Sequence, residues 1–374
     1  MRSVDPYNTL LEAADRHAAE IFDLLETVVQ IGAPTFHEKR RSDFLLGWIR
    51  EQIDVPHGQD DDGNLWIDLS RGAASVHLLD AHIDTVFSHV DVPLRKTPSQ
   101  WHAPGVFDNT VTAVTLLIWA RAIAASGGNA PFLVTLSVGE EGEGNLLGAH
   151  RMAAQFKERA RDAVALDLSL DRASRISVGS RRYEMTFEAT GGHSWGDFGQ
   201  PNAIHEAARW IGLLEKAFPW RRGERSFNIG TIEGGTGINV IAAQARFKLD
   251  IRSIDPAFLD TFQAWLEQEC ARQSPGSPFT ITSRLIGYRP AGSLPATHPL
   301  VDLITETQGD LGLPCEWAAY STNGNAFIAA GIPTVVTGLA RGAGIHTEAE
   351  YLTLDSVPTG WRKLVLLTQK LAAL

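Results

Sequence analysis

The stretch VHLLDAHIDTVF, residues 76–87, runs an apolar, β-rich segment directly into His82-Ile83-Asp84. Residues two apart on an extended segment point to the same side, so this spacing lets an imidazole and a carboxylate face one ion. Alone, His82 reads equally well as a satisfied core histidine; Asp84 beside it favours the ion. Downstream, short apolar runs alternate with helical patterns: VTAVTLLIWARAIAA (111–125), FLVTLSV (132–138), LLGAHRMAAQF (146–156) and AVALDLS (163–169). That order predicts βαβ units, an α/β fold with a mainly parallel sheet flanked by helices. Upstream, Leu11, Ala14, Ile21, Leu24, Leu25 and Val28 recur at helical spacing, which predicts one amphipathic helix over residues 10–31.

The pattern changes near Ser180. YEMTFEA (183–189) alternates like a half-exposed strand and precedes the helical AIHEAARWIGLLEKAF (203–218). The strands SFNIGTIE (226–233) and ARFKLDIR (245–252), the helix AFLDTFQAWLEQECA (257–271) and the strand FTITSRLI (279–286) follow. Strand, helix, strand, strand, helix, strand is the split βαβ order of a ferredoxin-like α+β unit, here inserted over residues 180–288. The α/β style then returns with LVDLITETQGDL (300–311), IPTVVTG (332–338) and a last helix from about Ser356, its start marked by Asp355, Ser356 and Pro358. Residues 1–179 and 289–374 therefore form the two parts of the first domain.

A chain of 374 residues exceeds the usual size of one core, in keeping with two units. Apolar residues at 44% and charged residues at 21% exclude a disordered chain. The net charge of -11 argues against sequence-independent nucleic-acid binding and for a small-molecule or short-peptide partner. Cys270 and Cys315 form no metal or disulfide spacing, so any metal must use His and carboxylates. The N-terminus lacks an apolar signal region and no run of 18 uncharged apolar residues occurs, which predicts a cytoplasmic chain with no membrane partner.

Ligands of α/β sheets gather beyond the carboxyl ends of the strands. Two further strand runs end in metal-competent groups: SVGEEGEG (137–144) carries Glu140-Glu141, and AVALDLS carries Asp167. Adjacent carboxylates repel, so a buried strand leading into Glu-Glu calls for a cation or a captured proton, a solvated turn being the alternative. Glu143 reads as a solvated loop charge. Asp108, in PGVFDN (104–109), fits either a ligand or the N-cap of the next helix, and His346, in IHTEAEYL (345–352), either a ligand or an inert loop histidine.

Taken in order, DAHIDTVF, PGVFDN, SVGEEGEG and IHTEAEYL resemble the motifs of the zinc-dependent deacylase and exopeptidase family of acetylornithine deacetylase, succinyl-diaminopimelate desuccinylase, aminoacylase, peptidase T and glutamate carboxypeptidase. The resemblance implies two Zn²⁺, with Co²⁺ or Mn²⁺ as substitutes, bridged by Asp108. His82 and Asp167 would complete one site, and Glu141 and His346 the other. It implies Glu140 as general base, Asp84 as the carboxylate orienting His82, and an inserted lid that mediates a homodimer. His193, in ATGGHSWGDFG, matches a lid histidine near the oxyanion, while Asn239 and Arg252 match lid residues that hold a substrate carboxylate. Asp171 is a weaker alternative to Asp167. Where many relatives carry Asp, this chain has Asn323, which removes a negative charge near the pocket. His102 and Arg181-Arg182 read as structural. The implied activity is cleavage of the amide bond of a small N-acyl amino acid or short peptide; a non-catalytic metal-binding or regulatory protein on the same fold is the alternative.

Overall fold

The structure, a computed structural model, describes residues 6–127, 129–273 and 276–374; the N-terminal reading above rests partly on residues 1–5, outside them. The chain forms two compact units, one from the segments up to Ser177 and from Ser293 onward, the other from Val178–Gly292. In the first, the strands run His57–Gln59, Leu65–Asp68, Phe132–Ser137, Val76–His82, Ala160–Leu166, Thr334–Thr337, Arg172–Ser177 across the sheet. The four central strands are parallel. Leu65–Asp68 and Arg172–Ser177, which flank them, run antiparallel to them, and His57–Gln59 pairs antiparallel with Leu65–Asp68.

Side-chain alternation explains why these strands read as unbroken apolar runs. Val76, Leu78 and Leu133 pack on one face with Ala149 and Met152 of the helix Leu147–Phe156. Leu79, Ala81, Val134 and Leu136 pack on the other with Ile21, Leu25, Val114, Leu117 and Leu364 from three helices. With both faces covered, apolar residues are favoured at every position. The helix Val111–Ala125 is buried nearly all round, which accounts for its uniform apolarity.

The N-terminal helix expected over residues 10–31 is two helices, Pro6–Glu12 and Ala14–Gln30. The indole Nε1 of Trp361 donates to the Leu10 carbonyl at 2.9 Å, an oxygen that a continuous helix would have used internally. The second unit orders its strands Arg225–Gly234, Gln244–Ser253, Gly179–Glu188, Thr280–Arg289, all antiparallel. Met185, Phe187, Phe247 and Leu249 pack with Trp210 and Phe262 of its two helices, the ferredoxin-like arrangement.

Two small sheets escape a periodicity reading. Arg341–Ala343, Tyr351–Thr353, Gln100–His102 and Arg95–Lys96 form an antiparallel sheet in the first unit, and Gly192–His193 pairs with Val240–Ile241 in the second. His102 pairs with Tyr351 in that ladder. Arg181 bonds Asp260 at 3.0 Å and lies over the Tyr288 ring.

Candidate metal centre

The parallel register brings three strand ends to one edge. His82 lies opposite Ser137, which leads into Glu140-Glu141, and Leu166 lies opposite Thr337, so Asp167 emerges beside them. Asp84, fully buried, ties these ends together: Oδ1 accepts from the Glu140 amide at 2.9 Å, and Oδ2 from the Glu141 amide at 3.0 Å and from Thr35 Oγ1 at 2.9 Å. The ring of His82 meets the Asp84 main-chain oxygen at 3.1 Å through Nδ1, with the Asp84 carboxylate at 3.4 Å. Orientation of His82 thus falls first to the backbone oxygen, and the Asp84 carboxylate mainly fixes the Glu140-Glu141 turn. Glu143 is exposed.

With its proton on Nδ1, His82 presents a bare Nε2. That atom is buried without a hydrogen-bond partner and lies 3.3 Å from Asp108 Oδ1, close enough for an ion pair but not aligned as a hydrogen bond. The other Asp108 oxygen lies 3.3 Å from His346 Nε2, which also meets Glu141 Oε1 at 3.0 Å. Two donors bound at about 2.0–2.1 Å to one tetrahedral ion stand roughly 3.3 Å apart. The donor set therefore fits a divalent cation on each side of Asp108. His82, Asp108 and Asp167 form one group whose donor atoms lie within 4.8 Å of one another; Asp108, Glu141 and His346 form a second; His82, Glu140 and Glu141 form a third.

Asp108 is not a helix cap. Thr110 holds the N-cap position of the helix Val111–Ala125, which begins without a side-chain cap. Asp171 lies outside these groups: both its oxygens accept from the Arg341 fork at 2.7 Å. The loop with Asn323 is not short of a carboxylate either, because Asp80 faces it from the strand. Asp80, buried on the same side of the strand as His82, accepts from Thr135 at 2.7 Å, Ser137 at 2.9 Å and Asn323 Nδ2 at 2.8 Å.

Sequence reasoning also passed over Arg41, Glu350 and Lys363. Arg41 is buried and donates to the carbonyls of Ile31 and Ile83 and to Thr110. Lys363 donates to the Leu170 and Gly338 carbonyls and to Thr337 Oγ1, bracing the turn after Asp167. Burial pushes its pKa down to about 7. Thr337 spends its own proton on the Arg172 carbonyl, so the three acceptors around Nζ favour the three-proton ammonium against that burial. In the second unit, His193 and Asn239 are neighbours: His193 pairs with Val240, and Ser194 donates its amide to the Asn239 carbonyl at 3.0 Å. His193 Nδ1 accepts from the Trp195 and Gly196 amides, each at 3.2 Å. Arg252 is not brought to them. It lies near the far end of the strand Gln244–Ser253, roughly 26 Å from its start at 3.3 Å per residue, and pairs with Asp250 at 2.8 Å. Within one chain, Asn239 and Arg252 cannot grip one carboxylate.

Charge crowding sets the titration of the metal-free centre. Burial, joined by the charges of Glu140 and Asp108, pushes Glu141 up to about 7 against the pull of His346. Burial and Asp108 push Asp167 up to about 6. Hydrogen bonding to Asp108 and Glu141 raises His346 to about 10. Each of these folded-state values lies above its unfolded value, so these three groups hold more protons in the folded chain and make stability fall as pH rises from about 5 to 7, above which the lowered Lys363 opposes His346. Asp108, depressed, changes nothing in that window. The melting temperature of chelator-treated protein should fall between pH 5 and 7, and zinc should flatten or reverse the fall; parallel curves with and without zinc would contradict the charge assignment.

Comparison with known proteins gives the family. The model of Peptidase family M20/M25/M40 matches residues 78–370. An N-acetyl-L-citrulline deacetylase from Xanthomonas campestris pv. campestris is 28% identical over 332 residues, 83% of this chain and 84% of that protein. A tripeptidase from Staphylococcus aureus shares the fold with a TM-score of 0.80 at 18% identity, over 96% of this chain and 99% of that one. An M20 family metallo-carboxypeptidase from Sulfolobus solfataricus does so with a TM-score of 0.77 at 13% identity, over 95% and 100%. The two solved structures bear out the expected α/β architecture, and the match across most of the sequence bears out the family resemblance. The chain belongs to Peptidase family M20/M25/M40, a family of hydrolases acting on amide and peptide bonds of small substrates.

Proposed function

We propose that this chain is a two-zinc amidohydrolase that cleaves a small N-acyl amino acid or a short peptide. One observation carries the reading: the two oxygens of Asp108 each stand 3.3 Å from a different imidazole, as a carboxylate shared between two ions would. His82, Asp108 and Asp167 would hold one ion, and Asp108, Glu141 and His346 the other. Two histidines and three carboxylates suit zinc, with cobalt or manganese as substitutes. When bound, zinc polarises a carbonyl and lowers the pKa of water toward neutrality.

Glu140 is the proton carrier in this reading. Its carboxylate lies within 4.8 Å of the donor atoms of His82 and Glu141, and its amide is anchored on Asp84, so its position is set from the backbone. It takes a proton from the attacking water and passes it to the amide nitrogen as the C–N bond breaks. His193 steadies the developing oxyanion, and Asn239 holds a substrate carboxylate. Arg252, remote from Asn239, serves a different substrate group or another copy of the site.

The name of the Xanthomonas relative supports an N-acyl amino acid, and the Staphylococcus neighbour a short peptide. A homodimer through the second unit is supported by its edge strand Arg225–Gly234 and by exposed Trp195, Phe198 and Ile238. Sedimentation velocity should find twice the chain mass; a monomer at all attainable concentrations would remove this part.

Purified, zinc-loaded protein should hydrolyse one class within a panel of dipeptides, tripeptides and N-acetyl, N-succinyl and N-carbamoyl amino acids. Chelator should abolish the activity and zinc restore it. Glu140→Ala should lose about 10²- to 10⁴-fold in kcat while retaining zinc. Undiminished turnover in that variant would remove the role given to Glu140.

A further inference from the structure

Glu350 is fully buried, yet it is not among the side chains grouped as candidate metal ligands. Its carboxylate is spent on main-chain amides: Oε2 accepts from Gly105, and Oε1 from Phe107 and Asp108, each at 2.9 Å. These amides belong to one turn, and their common direction toward Glu350 fixes the backbone from which the Asp108 side chain departs. Glu350 itself stands directly before the strand Tyr351–Thr353, which pairs with Gln100–His102, the strand leading into that turn. It also follows the loop that carries His346.

The surroundings leave this turn little freedom. Gly105 has φ +74°, and a Cβ there would come within 2.4 Å of Thr85 Cγ2. A Cβ on Gly342 would come within 2.5 Å of Phe107, so the strand leading into the His346 loop packs directly on the Asp108 turn. One carboxylate thus joins the segment carrying the shared carboxylate to the segment carrying His346.

We propose that Glu350 is a positioning residue of the metal centre, clamping the backbone of Asp108 so that each of its oxygens faces a different histidine. The inference rests on the two-zinc reading above. Glu350 would act through Asp108, since its carboxylate oxygens are occupied by the amides of that turn. Because the clamp and the ions both orient Asp108, each strengthens the other, and the coupling must be reciprocal. Outer partners of this kind typically contribute 10- to 100-fold to metal affinity.

Glu350→Gln tests the clamp with little change of shape, since its amide nitrogen would set a donor against a donor. Zinc affinity, measured by competition with a chromophoric chelator, should weaken about 10- to 100-fold relative to wild type. Leu367→Ala, a core truncation in the last helix, serves as a control that lowers the melting temperature while keeping wild-type zinc affinity. Wild-type zinc affinity in Glu350→Gln, with a melting temperature lowered as in the control, would overturn the proposal by showing a merely structural role. A second measurement needs no variant: hydrogen–deuterium exchange on the wild-type chain with and without zinc. Peptides covering residues 105–108 and 346–351 should gain protection together on zinc addition. Protection of one without the other would overturn the clamp. Wild-type protein that bound no zinc would instead sink the two-zinc reading.

Discussion

Repulsion among carboxylates gathered at one edge of the sheet is the constraint on which the rest of this structure depends. Asp84, Glu140 and Glu141 are buried, and Asp108 and Asp167 stand close to them. Two like charges about 4 Å apart near a protein surface repel by about 4 kcal/mol. A few such pairs rival the whole stability of an ordinary domain, about 5–15 kcal/mol. Such a cluster persists only where positive charge is supplied, and the raised Glu141, Asp167 and His346 pKa values show the metal-free chain doing so by holding protons. In the proposed two-zinc reading, divalent cations would replace those protons with a stronger and more localised charge.

The fold answers the same constraint from the outside. Parallel strands deliver His82, the Glu140-Glu141 turn and Asp167 to one edge, because equal register puts equal strand ends side by side. Asp84 then binds the turn to the histidine strand through two amides, the Asp171–Arg341 fork joins the Asp167 turn to the strand before the His346 loop, and Lys363 braces the turn after Asp167. The buried guanidinium of Arg41 holds the Ile83 carbonyl between His82 and Asp84. Most of the candidate metal-holding side chains are thus fixed by a group outside the candidate set.

Much of the architecture was legible because it rests on periodicity. Strands covered on both faces are apolar throughout, and the inserted unit announces itself by its switch to alternating strands. The side chains that could hold a metal stood out in the sequence because each follows a strand or sits in a motif of fixed order, and the fold brings them together. The supporting groups were not. Glu350 and Lys363 act through backbone amides and carbonyls, and nothing in a side chain's identity reveals which distant main-chain atom it will meet. Asp80 was the exception that left a signal: a carboxylate inside an apolar strand, in phase with His82, answers the asparagine at 323. Asn239 and Arg252 were joined by motif alone, and the length of the strand between them separates them. The single N-terminal helix failed for a similar reason, since the periodicity continues through Ala13 while the Leu10 carbonyl turns to Trp361.

Crystals soaked in zinc and measured on both sides of the zinc absorption edge offer the most direct test of the central claim. The account predicts two anomalous peaks, one on each side of the Asp108 carboxylate, the first beside His82 and Asp167 and the second beside Glu141 and His346. A single peak, or none within reach of Asp108, would contradict it.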